Sequence, residues 1–186
     1  SRFTHRAMSA ILQLTCFQML IYAGMWIAGW VIVGEERRAV RHWLGFNLLL
    51  AVGLGLVSLR PAGDPWLTVV LANLVLAGAF LLLYRGGALF LRLPTRDVEA
   101  AMLMLSCMAF AVWTGPVPTG PGWIHPGAAT AALIGWVLLA ASWRSRGALA
   151  EQFGPRTAWV ALAPQVVYGI VQGVRAWQIF TLDATA

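Results

Sequence analysis

The chain has 186 residues, 60% apolar and 11% charged, with a mean hydropathy of +0.74, whereas a soluble domain usually carries about 25% charge and 45–50% apolar residues. Thirteen Arg, no Lys and seven acidic residues are too few to clothe a soluble core of this size, which argues against a water-soluble globule. The net charge of +6 would suit nucleic acid if the arginines formed one face, but they sit in short gaps between apolar runs and read as topology signals.

Six apolar stretches, at about 8–33, 42–59, 66–84, 98–115, 127–143 and 157–179, each approach the ~20 residues that cross a hydrocarbon core. Strand alternation is absent, and spanning segments must satisfy their own backbone. The expected fold is therefore all-α: a polytopic transmembrane bundle of about six spans forming one domain over residues 1–186.

The first run has no small-residue cleavage site and reads as a retained span rather than a signal peptide. It holds Gln13, Gln18 and Cys16, and Gly24 with Ala28 forms a small-xxx-small pair. The first loop carries Glu35, Glu36, Arg37, Arg38 and Arg41, and His42 and Trp43 enter the second span, which contains Asn47. Arg60 stands in the second loop. Asn73 lies within the third span, and the third loop carries Arg85, Arg92, Arg96, Asp97 and Glu99. Arg85 and Arg92 are seven residues apart on one helical face, so this helix is expected to continue past the span or bend along the surface.

The fourth span holds Cys107. The loop after it, from Gly115 to Gly127, is dense in Pro and Gly, carries no formal charge, and reads as a rigid turn. Arg144, Arg146, Glu151 and Arg156 separate spans five and six. The sixth span carries Gln165 and Gln172 and a GxxxG pair, Gly169 and Gly173. Nine of the 13 Arg thus fall in the odd-numbered loops: Arg37, Arg38, Arg41, Arg85, Arg92, Arg96, Arg144, Arg146 and Arg156. The positive-inside rule then expects those loops in the cytoplasm, both termini outside it, and a multi-pass protein of the bacterial inner membrane.

Candidate chemistry is sparse. Gln13, Gln18, Asn47, Asn73, Gln165 and Gln172 should point into the bundle as interhelical glue, or line a polar pocket. Gly24, Ala28, Gly169 and Gly173 should permit close helix packing. His5, His42 and His125 flank spans rather than sit within them, and Cys16 and Cys107 read as small hydrophobes, so no metal site or disulfide is expected. No carboxylate lies within a span, which disfavours an ion-coupled pump, and no P-loop, HExxH, CxxC or GxSxG occurs. Glu36, His42, Asp97 and Glu99 are the nearest approach to a lipid-modifying site, but the acids read as partners of adjacent arginines. No catalytic residue is assigned. No cofactor is evident, although the deep Trp26, Trp30 and Trp136 offer surfaces on which a lipid, quinone or pigment could stack. Most other Trp residues, including Trp113, Trp123 and Trp177, fall at span ends as an aromatic belt.

With the spans placed, residues 37–92 resemble the membrane-embedded N-terminal regions of bacterial GGDEF-domain diguanylate cyclases. The resemblance is carried by Arg41-His42-Trp43-Leu44-Gly45, Leu54–Arg60, Asp64-Pro65-Trp66-Leu67, Leu71-Ala72-Asn73-Leu74, Tyr84-Arg85-Gly86 and Phe90-Leu91-Arg92, about a third of the chain. It implies an input module that senses a membrane or periplasmic condition and biases a cytoplasmic output. That family's layout has about seven spans followed by the cyclase. The GGDEF signature is not in this sequence, so no catalytic residue carries over, and the expectation is a fragment of a longer sensor or a bundle serving alone. The alternative is an accessory subunit of a respiratory or photosynthetic membrane complex, contacting partner helices, lipid or pigment. Membrane lipid and other membrane chains or self-association are the expected partners, and nucleic acid is not.

Overall fold

The computed structural model describes residues 2–32, 37–60, 63–116 and 125–183; Glu35, Glu36, Trp123 and most of the Pro/Gly-rich loop lie outside the described residues, as do the side chains of Arg2, His5, Arg6 and Asp183. The elements are α1 (Arg2–Ile32), α2 (Arg37–Ser58), a π-helical turn (Trp66–Leu71) that runs into α3 (Ala72–Phe90), α4 (Asp97–Thr114), α5 (Pro126–Phe153) and α6 (Pro155–Asp183). No strand occurs among the described residues. Six helical segments are long and apolar enough to cross a membrane.

The helix ends follow from local chemistry. Asp64 Oδ1 accepts from the backbone N–H groups of Trp66 and Leu67 at 2.8 and 3.3 Å, and Pro65 costs no hydrogen bond at a helix start. α3 continues to Phe90, past the apolar run that ends near 84. It stops in a Schellman turn, with Leu93 N–H bonded to Ala88 O and Arg92 N–H to Leu89 O. Arg92 takes the left-handed position there, at φ 54°, which costs a non-glycine residue about 1–2 kcal/mol. α5 also outruns its apolar stretch, from 143 to Phe153, because Arg144, Arg146 and Glu151 are good helix formers. Gly154 at φ 85° and Pro155 then break the chain, so α5 and α6 are joined by a single residue. Arg85, Arg144, Arg146 and Arg156, expected in loops, are therefore helical.

Two antiparallel hairpins, α2–α3 and α5–α6, make the body of the fold, and α3 packs on α5 to join them. Ala77, Leu133 and Val137 form one core cluster with Leu103 and Met104 of α4 against it. Phe80, Ile134 and Leu138 form a second, with Phe46 and Leu50 of α2. Phe80 sits edge-on to Phe46 at 5.6 Å and stacks on Tyr168 of α6 at 6.0 Å, so one ring ties three helices. α1 lies along α2, and α4 lies over α3 and α5.

The hairpins close through small residues. A Cβ at Gly135 would stand 2.8 Å from the Gly169 carbonyl oxygen and 3.2 Å from the Gly173 nitrogen. The GxxxG pair of α6 is thus used within the molecule, against Gly135. Gly24, in contrast, has nothing within 4 Å of a built Cβ, and both it and Ala28 are exposed. Outward faces are strongly apolar: Trp113, Val98, Val160 and Trp177 are 84%, 77%, 74% and 67% exposed. Apolar faces of this extent mark contact with a membrane or with other protein.

Replacing Gly135 by Ala is expected to lower the unfolding free energy by about 1–3 kcal/mol, because the clashing atoms are backbone and cannot rotate away. Gly24→Ala should leave it unchanged. Steric-trap or denaturant unfolding in one detergent compares the two, and equal stabilities would contradict the Gly135–Gly169 contact.

Candidate ligand cavity at the arginine-rich end

Trp43 turns inward near the start of α2 because Gly86 has no side chain: a Cβ there would stand 2.7 Å from the indole. The ring then packs tilted on Trp26 of α1, with centroids 4.8 Å apart, and on Phe90 of α3 at 5.4 Å. Beneath it opens a cavity of about 210 Å³ walled by α2, α3, α5 and α6. An engineered apolar cavity of about 150 Å³ already accepts benzene, so this space is large enough for a ring or a length of acyl chain. Its walls are mostly apolar, among them Leu83, Ala88, Leu138 and Leu162, and Tyr84, Arg144, Ser145 and Gln165 add polar groups.

Arg144 is the charged member. Its Nη2 donates to the Pro94 carbonyl at 2.9 Å, and its guanidinium carbon lies 5.6 Å from the Tyr84 ring centre. Nη1 is buried with no hydrogen-bond partner. Among the described residues no carboxylate pairs with it, because the acids at this end are engaged elsewhere: Asp97 with Arg85 at 2.9 Å and Glu99 with Arg96 at 2.8 Å. A second space of about 110 Å³, between α3, α4 and α5, is also lined by Tyr84, Val137 and Arg144. Arg144 thus stands in the wall between two cavities.

The polar residues expected inside the bundle distribute unevenly. Asn47 and Asn73 are buried, at 3% and 5% exposure, but each donates to the carbonyl four residues earlier in its own helical segment, Trp43 and Val69. Gln172 is buried against Gly135. Gln165 reaches Ser142 across α5 and α6 at 3.5 Å and lines the larger cavity. Gln13 and Gln18 are exposed, and Gln18 donates to the Tyr22 hydroxyl. These six residues do not form one pocket. Of the arginines expected to mark topology, Arg144 alone lines the larger cavity, and Arg96 joins it around the smaller. Arg146 stacks on Trp143 with its guanidinium carbon 3.5 Å from the ring centre. Arg37, Arg38, Arg41, Arg92 and Arg156 are exposed.

His42 Nδ1 lies 2.7 Å from the Arg38 carbonyl, which can only accept, so that nitrogen carries the proton. His125 Nδ1 accepts from the Gly127 N–H at 2.9 Å and caps α5. The two imidazoles open α2 and α5 at opposite ends of the bundle, and no group of three metal-ligating side chains occurs among the described residues. At the end away from the cavity, Arg60 Nε donates to the Thr68 carbonyl of the π-helical turn at 3.0 Å. Burial first, and the positive charge of Arg175 second, pull the Arg60 guanidinium below its ordinary pKa.

Ser145 and the cavity roles of Tyr84 and Arg144 were not visible from sequence. One signal was available: Tyr84 and Arg144 close two spans that run in the same direction, which places both at the same depth. Compared with known proteins, the chain matches no family model, no curated relative and no solved structure.

Because each amide is satisfied within its own segment, Asn47→Leu and Asn73→Leu are expected to change the unfolding free energy by about 1 kcal/mol or less. Detergent unfolding of each variant measures this, and a markedly larger loss would mean that the amides bridge helices.

Proposed function

We propose that the chain is a membrane-embedded sensory bundle, itself non-catalytic, that serves a diguanylate cyclase-like signalling protein in the bacterial inner membrane. In this reading the six helices cross the bilayer, the arginine-rich end faces the cytoplasm and the N-terminus lies on the other side. One observation carries it. Trp43, Tyr84, Phe90 and Leu91, four of the residues on which the family resemblance rests, line the cavity that four helices share. An occupant there touches both hairpins at once, and it biases their packing only through a difference in affinity between two arrangements. The tilted contacts of Trp43 with Trp26 and Phe90 extend that contact to α1.

Gly87 lines the cavity and has nothing within 4 Å of a built Cβ, so Gly87→Leu fills the space without displacing the backbone. Introduced at the native locus, it is expected to change cellular cyclic di-GMP by about threefold, the result of biasing a two-state packing by about 0.7 kcal/mol. If neither this variant nor deletion of the gene alters cyclic di-GMP, and partner chains co-purify stoichiometrically in mild detergent, the accessory-subunit reading replaces this one.

A further inference from the structure

Among the described residues, Arg144 is the one charged group lining the larger cavity, and Glu99, the acid lining the smaller space, is paired with Arg96. Arg144 is half-buried, and the part of a guanidinium that leaves water is costly unless its donors are met. Arg144 has one donor on Pro94 and a ring face on Tyr84, and Nη1 is left with no partner. The neighbouring arginines show the other outcome, since Arg85 and Arg96 each hold a carboxylate. Beside Arg144 the wall is apolar, and the space is about 210 Å³. The complement of such a site is an anion attached to a hydrocarbon chain. Basic pockets between membrane helices at the cytoplasmic level take anionic lipid headgroups, and the bilayer supplies both parts at that depth.

We infer that this cavity is a binding site for one anionic phospholipid, with the headgroup phosphate on Arg144 and part of an acyl chain along Leu83, Leu138 and Leu162. Tyr84 supplies a hydroxyl beside the headgroup, while the Ser145 hydroxyl is committed to the Ala141 carbonyl at 2.7 Å and Gln165, 3.5 Å from Ser142, lines the α6 side of the space. Arg146 serves as the internal comparison: it is exposed, lies on the Trp143 ring and lines a more open apolar space of about 460 Å³ between α5 and α6, with no buried donor left unpaired. The inference rests on reading the cavity as the input site, and it adds the chemistry of the occupant.

The test is native mass spectrometry of the full chain in mild detergent, with phosphatidylglycerol and phosphatidylcholine of identical acyl chains as probes. One phosphatidylglycerol per chain is expected, retained about tenfold over phosphatidylcholine, which offers the same phosphate oxygens but sets a choline cation against the Arg144 guanidinium. Arg144→Gln should abolish that preference and Arg146→Gln should leave it intact. Gly87→Leu, which keeps the arginine and fills the space, should lose retention; it decides the matter if Arg144→Gln fails to fold. Equal retention of both lipids, or unchanged selectivity in a folded Arg144→Gln or Gly87→Leu protein, would overturn the site. Displacement by excess inorganic phosphate would identify a free anion as the ligand and likewise overturn the lipid assignment. A cyclic di-GMP response to Gly87→Leu without lipid selectivity sinks this inference while keeping the sensory reading, and the reverse result does the opposite.

Discussion

In the membrane reading proposed above, a helix gains nothing by hiding an apolar face from lipid, so what holds α5 to α6 is how closely their backbones can approach at Gly135 and Gly169. The rest of the packing depends on that constraint. Where a small residue lets backbone or a ring come near, the helices interlock: Gly53 admits Leu76, Gly45 admits Leu82, and Gly86 admits Trp43. Helices without such notches stay at the margin. α4 offers no glycine and lies over α3 and α5 through Leu103, Met104 and Cys107, while the Gly24 face of α1 is left open to its surroundings. In that reading the large apolar side chains on these outer helices are not a defect of packing, because in lipid their exposure carries no penalty.

The same solvent dictates what polar groups do. Asn47, Asn73, Thr130 and Ser142 are buried, and each donates to a carbonyl four residues earlier, a bond that forms with the helix itself and asks nothing of a neighbour. Such residues cost little to keep and contribute little to association. Arg144 is the exception, because no guanidinium can meet five donors with its own helix. Its partners come from the α3–α4 connection and from Tyr84, and they do not suffice. The feature least explained by packing is therefore the one that calls for a ligand.

The helices were legible in the sequence because runs of about 20 apolar residues leave few alternatives, and the six segments found coincide with the six runs. Their ends were less legible. Hydropathy marks where a side chain meets water, whereas a helix stops where the backbone is broken, as at Arg92 and at Gly154–Pro155. The cavity was not legible, since it depends on a register: Trp43 faces Gly86, and Arg144 reaches Pro94 fifty residues earlier. Periodicity within one helix says which face is polar but not which residue of another helix it meets. The GxxxG pair could be recognised, and its partner Gly135 could not.

The two small-residue devices also divide the molecule mechanically. The backbone contact between Gly135 and Gly169 fixes the α5–α6 hairpin rigidly, because neither glycine has a side chain that could rearrange. The contact at Gly86 is different: it is made by an indole side chain, packed in turn on the rings of Trp26 and Phe90 rather than on backbone. Of the elements around the cavity, the rigid hairpin supplies Arg144 and the adaptable one supplies Trp43. A ligand held on the first and pressed against the second does work on α2, and through Trp26 on α1, rather than on the interface it is anchored to. Under the sensory reading, the element to follow for movement is therefore α1, which packs along α2 and leaves most of its apolar span exposed.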